Sequence, residues 1–81
     1  MKFRCRQLHK RWKEIRAVTP GSAAVEYAMK KCDPDEIGEK TEVSVEGIGT
    51  YALLWEGVEW IEIGFAPMKY GWYQGVNLQK Q

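Results

Sequence analysis

The chain has 81 residues, 44% of them hydrophobic, with 12 Lys and Arg against 11 Asp and Glu and a formal net charge of +1. Over that length one domain with a single modest core is expected. No apolar run approaches the ~18 residues of a membrane-crossing helix, and the charged N-terminus lacks the hydrophobic stretch of a secretory signal, so a cytoplasmic protein with no membrane partner is expected.

The first element is a basic hairpin. Phe3, Cys5, Ile15 and Ala17 share an odd phase, which predicts two strands with one buried face. Pairing Cys5 with Ile15 and Phe3 with Ala17 leaves His9, Lys10 and Arg11 as the loop and sets Leu8 opposite Trp12. Arg4, Arg6, Glu14 and Arg16 then project from the other face. A helix follows in TPGSAAVEYAMKKC. Pro20 and Gly21 break the strand, Ser22 is a good N-cap, and Val25, Ala28, Met29 and Cys32 recur at helical spacing. Lys30 and Lys31 suit the negative end of the helix dipole, and Asp33-Pro34 stops the helix.

DPDEIGEK reads as polar loop, and TEVSVEG alternates as a strand with Val43 and Val45 on one side. A type II′ turn at Gly47-Ile48 pairs Val45 with Thr50, Val43 with Ala52 and Thr41 with Leu54. In LLWEGVEW a two-residue turn at Glu56-Gly57 sets Trp55 opposite Val58 and Leu53 opposite Trp60. Together the turns place Val43, Val45, Ala52, Leu54, Ile61 and Ile63 under the helix, with Tyr51, Leu53, Trp55, Val58 and Trp60 on the far face. The expectation is an α+β domain: an antiparallel sheet of about five strands with one helix on one face, in the order β-β-α-β-β-β. Residues 1–66 form that domain. Pro67 ends the fifth strand, and the tail of residues 67–81, with Tyr70, Trp72 and Tyr73, either packs on the sheet, adds a sixth strand or meets a partner.

Catalytic chemistry is not assembled by these residues. His9 is the sole histidine, and it sits in a basic turn with no oriented nucleophile beside it. Cys5 and Cys32 read as reduced, buried, small apolar residues. Cys5, His9, Cys32 and Asp33 lack the paired spacing of a zinc site, and GIG precedes no helix that would cradle a phosphate. No enzyme activity, metal or cofactor is expected.

Charge is strongly partitioned along the chain. Residues 1–16 carry Lys2, Arg4, Arg6, Lys10, Arg11, Lys13 and Arg16 against Glu14, whereas residues 33–62 carry nine acids against Lys40. Either a basic arm meets nucleic acid and an acidic body meets a basic partner, or the two blocks lie side by side and neutralise each other across strands. The second is favoured in a domain this small. Two binding surfaces follow for a protein partner: an acidic one of Glu36, Glu39, Glu42 and Glu46, and an aromatic one of Tyr51, Trp55, Trp60 and Trp72. The alternative is single-stranded nucleic acid, held by sheet aromatics and by Arg4, Arg6 and Arg16. A second copy of the chain would also cover an aromatic face.

The layout WKEIRAVTPGSAAVEYAMKKC followed by TEVSVEGIGTYALLWEGVEWIEIGF resembles the small β-β-α-β-β-β proteins of bacteriophages and mobile elements, some of which are anti-CRISPR or other anti-defence inhibitors. The likeness covers about residues 3–65 and rests on layout, with SAAVEYA as its local texture. It implies a viral, non-catalytic inhibitor in the host bacterial cytoplasm that blocks a host nucleoprotein complex, by acidic mimicry of nucleic acid or by wedging an aromatic face against a subunit. A phage protein of unrelated role with a common small fold is the plainer implication.

Overall fold

Apolar residues every second position build five strands here, and one run of small residues builds the helix that packs on them. The computed structural model describes residues 1–68. The elements are β1 (Lys2–Arg6), β2 (Lys13–Arg16), α1 (Pro20–Lys31), the single turn α2 (Pro34–Ile37), β3 (Lys40–Val45), β4 (Gly49–Trp55) and β5 (Trp60–Pro67). The strands form one sheet in the order β2-β1-β3-β4-β5, with every neighbouring pair antiparallel. This is the α+β, β-β-α-β-β-β plan, with the first hairpin docked beside β3 through Cys5–Val45 and Arg6–Ser44 pairing.

Helix α1 starts earlier than expected. Thr19, not Ser22, is the N-cap: its hydroxyl accepts from the Ser22 N–H at 3.1 Å, and Ser22 Oγ accepts from the Thr19 N–H at 3.2 Å. Pro20 occupies the first turn, where its missing N–H costs nothing. The buried stripe is Ala23, Ala24, Tyr27 and Ala28, whereas Met29 is exposed and Val25 only half-buried. Three alanines let the helix backbone approach the sheet closely, and the Tyr27 ring fills the remaining space. DPDEIGEK is not all loop either. Asp33 caps α2 by accepting from the Asp35 N–H at 2.9 Å.

All three hairpin registers differ from the expected ones, and the size of each slip decides its consequence. In β1–β2, Phe3 lies opposite Ile15 and Arg4 opposite Glu14, a slip of two residues. The loop widens to residues 7–12, and His9 takes the left-handed conformation at φ 66° that a glycine would otherwise supply. A two-residue slip preserves faces, so Cys5 and Ile15 remain inside. In β4–β5, Trp55 lies opposite Trp60 across a four-residue loop of residues 56–59, again a slip of two. Val58 therefore sits in that loop, 77% exposed, and not on a strand face.

In β3–β4 the slip is one residue. Val45 pairs with Gly49, Val43 with Tyr51 and Thr41 with Leu53. The turn holds Glu46, Gly47 and Ile48, closed by the Ile48 N–H donating to Val45 O at 3.0 Å, with Gly47 at φ 80°. That single extra residue turns β4 and β5 over. Tyr51, Leu53 and Trp60 lie buried beneath α1, where Ala52, Leu54 and Ile61 were expected, and those three are half-buried on the opposite face. Ile63 is extruded by a bulge between Ala52 and Leu53 and stands half-exposed. The core thus joins Cys5, Ile15, Val43, Val45, Tyr51, Leu53 and Trp60 to the alanine stripe.

Candidate binding surface on the sheet face opposite the helix

Helix α1 covers only one side of the sheet. On the other side the registers align Arg16 and Glu14 of β2, Lys2, Arg4 and Arg6 of β1, Glu42 and Ser44 of β3, and Ala52 and Leu54 of β4 with Ile61 and Gly64 of β5. Two shallow grooves of about 400 and 430 Å³ run along this side, and neither is lined by a helix residue. They meet at Thr50 and Ala66.

The larger concentration of chemistry lies at the β1–β3 end. Trp12 leaves the first hairpin in phase with Glu14 and Arg16 and lies half-buried under Arg6, whose guanidinium carbon sits 4.2 Å from the ring centroid. Arg4 approaches the same ring at 6.0 Å and pairs with Glu46 at 3.3 Å. Stacking of this kind contributes about 0.5–1 kcal/mol at exposed positions, and exposed ion pairs such as Arg4–Glu46 and Lys2–Glu14 contribute about 0–1 kcal/mol. Their effect is to hold the guanidinium groups in place. Ser44 Oγ and Thr50 Oγ1 lie 3.0 Å apart across β3–β4 and form the polar floor beside the stack. Arg4–Glu46 is also the cross-strand neutralisation expected of the two charge blocks.

Arg4, Arg6 and Arg16 therefore share one face, as the hairpin phase implied. Glu42 and Glu46 join them there, whereas Glu36 lies in α2 and Glu39 in the segment before β3, so the four acids do not form one patch on a single face. The aromatic surface is corrected. Tyr51 and Trp60 are buried under the helix, and Trp55 is half-buried with its ring 5.5 Å from that of Trp60. The one-residue turn extension accounts for this inversion. Trp60 Nε1 finds no hydrogen-bond partner among the described residues. Trp72, like Tyr70 and Tyr73 and the suggested sixth strand, lies outside the described residues.

Sequence reasoning put Trp12 on the face of Arg4, Arg6, Glu14 and Arg16 but missed it as a binding residue, and set it opposite Leu8, which instead stands 74% exposed in the loop. The signal was present in the even phase of Trp12, Glu14 and Arg16. Elsewhere the reactive groups are quiet. Cys5 and Cys32 are free and buried, and burial pushes the Cys5 thiol up to about 11 and Cys32 in the same direction. Neither supplies a thiolate near neutral pH. His9 is exposed in its turn. Among the described residues no group of three or more His, Cys, Asp or Glu is placed to hold a metal, and no helix is long and apolar enough to cross a membrane. Comparison with family models, with curated proteins and with solved structures finds no match to this chain.

Proposed function

We propose that the chain is a small non-catalytic module that binds a protein partner through the sheet face opposite α1. The observation that carries this reading is the Arg6–Trp12 stack, pre-positioned beside a hydroxyl floor on a face that α1 leaves open. Arg and Trp dominate binding hot spots because they contribute large contact area and directed hydrogen bonds from one side chain. The buried, protonated thiols and the exposed turn histidine are consistent with a module that performs no chemistry. In the form implied by the phage-like layout, the partner is a subunit of a host defence complex.

Single-stranded nucleic acid is the second reading, favoured by Lys2, Arg4, Arg6 and Arg16 on the same face. Against it, the Trp12 ring is engaged by Arg6, and Glu14, Glu42 and Glu46 interrupt the basic surface. Capture from a bacterial lysate with immobilised full-length chain separates the two. A partner retained after nuclease treatment and lost with Trp12→Ala supports the protein-binding reading. Capture that disappears with nuclease, or binding to oligonucleotides that weakens by about 0.7 log units per log unit of salt for each phosphate contacted, supports nucleic acid instead.

A further inference from the structure

A second concentration of charge lies away from that face, between the first hairpin and the C-terminal half of α1. Gln7, Lys10, Arg11, Lys13, Tyr27 and Lys31 enclose a pocket of about 230 Å³. Four of these six are cations, and among the described residues no carboxylate lines the pocket. Among the described residues none of the four joins an ion pair, whereas neighbouring Lys30 pairs with Glu26 at 3.5 Å. Helix-dipole complementarity accounts for Lys31 but not for Lys10, Arg11 and Lys13.

The floor of the pocket points the same way. Tyr27 is only 3% exposed. Its oxygen accepts from the Gln7 N–H at 3.4 Å, and no described acceptor takes its own proton. The Gln7 side chain is itself anchored, its Nε2 donating to Thr41 Oγ1 at 3.0 Å. Among the described residues the Tyr27 hydroxyl thus keeps its own proton free for donation, in a pocket whose lining also includes one arginine and three lysines. That many donors exceeds what a carboxylate with two oxygens uses, and it suits the three oxygens and double charge of a phosphate monoester.

We propose that this pocket binds a single phosphate monoester, with Lys10, Arg11, Lys13 and Lys31 neutralising the dianion and the Tyr27 hydroxyl donating to one of its oxygens. A running polynucleotide backbone fits less well. The six lining residues bound a single space of about 230 Å³, the scale of one group, and not a groove that follows a chain of phosphates. The site is separate from the open sheet face and stands or falls without it.

Titration of the full chain with inorganic phosphate at low salt, followed by amide NMR shifts against a chloride control of matched ionic strength, tests the site. Saturable shifts at residues 7–13 and 27–31 with phosphate alone are expected. Tyr27→Phe, which keeps the ring, should weaken binding by roughly fivefold. The double variant Lys13→Gln, Lys31→Gln should weaken it by about tenfold or more while the spectrum stays dispersed. Identical shifts with chloride, or unchanged phosphate affinity in both variants, would overturn the proposal. Tighter binding of a phosphoserine peptide or of adenosine monophosphate supports it and names the source. Tighter binding of an oligothymidylate lacking a terminal phosphate, at these same residues, overturns the single-group assignment.

Discussion

At the scale of single residues, two positions carry chemistry that their neighbours do not share. His9 holds φ 66°, a conformation that costs an L-residue about 1–2 kcal/mol and costs glycine little. Part of that gain is returned through the freer unfolded chain. His9→Gly should therefore stabilise the fold by up to ~1 kcal/mol, seen as a raised denaturant midpoint, and an unchanged or lower midpoint would show that the imidazole contributes contacts of its own. Cys5 is the second position. Its thiol is pushed from 9.0 to about 11 by burial, so below pH 9 both folded and unfolded chains keep the proton and the stabilisation is fully present. Between pH 9 and 11 the unfolded chain releases the proton while the folded chain retains it, so stability falls as pH rises. Tyr51, raised by burial and then by the Glu62 carboxylate, acts in the same sense. Denaturation in reducing buffer across this window should show the decline, with a shallower slope in Cys5→Ala.

At the scale of elements, the fold was legible where periodicity alone decides it and illegible where turn length does. Phe3, Cys5 and Ile15 announced a buried phase, and the β1–β2 register could err by two residues without moving any of them to the other face. Trp55 and Trp60 likewise stayed together through the β4–β5 error. The EGIG turn had no such protection. Gly47 and Gly49 each permit a tight reversal, and a loop of two residues or of three differs by one position, which is enough to invert Tyr51, Leu53 and Trp60 as a set. What selects the longer loop is not local. Gly49 holds φ 152°, and a Cβ there would collide with the Ala66 carbonyl oxygen and come within 2.8 Å of the Phe65 ring. Only the partner strand β5, some 17 positions on in the chain order (66 − 49), reveals why the second glycine must sit inside the ladder. Gly49→Ala should accordingly cost about 1–3 kcal/mol from backbone strain, with the collision added to it, and thermal unfolding should register the loss as a lower Tm. An unperturbed Tm would favour the two-residue turn.

For the whole molecule, the inversion changes what the aromatic residues are for. Trp60 is 1% exposed and lies among the largest fully buried side chains, so it belongs to stability and not to recognition. Trp60→Ala should cost about 3–5 kcal/mol, a large part of the roughly 4–12 kcal/mol typical of a domain this size. Near-UV circular dichroism and denaturant melts would report partial or complete unfolding; a small loss would restore the outward-facing reading. The candidate binding site, by contrast, was only half legible. Arg4, Arg6 and Arg16 follow from hairpin phase, but the partner of Arg6 is Trp12, and their meeting depends on a six-residue loop where the sequence reading expects three.

The two parts of the sheet touch along a narrow seam. β1 and β3 share the Cys5–Val45 and Arg6–Ser44 pairs, extended by the Glu46 N–H donating to Arg4 O at 2.9 Å, whereas β3, β4 and β5 are laddered along most of their lengths. The groove on the open face has Arg6 and Trp12 on one bank and Ser44 and Thr50 on the other, so it straddles that seam. Anything seated there grips the hairpin and the meander at once and works as a clasp. Occupancy would then slow the parting of the two halves, and the amide protons of the β1–β3 seam would exchange with solvent more slowly in proportion to how much of the groove is filled.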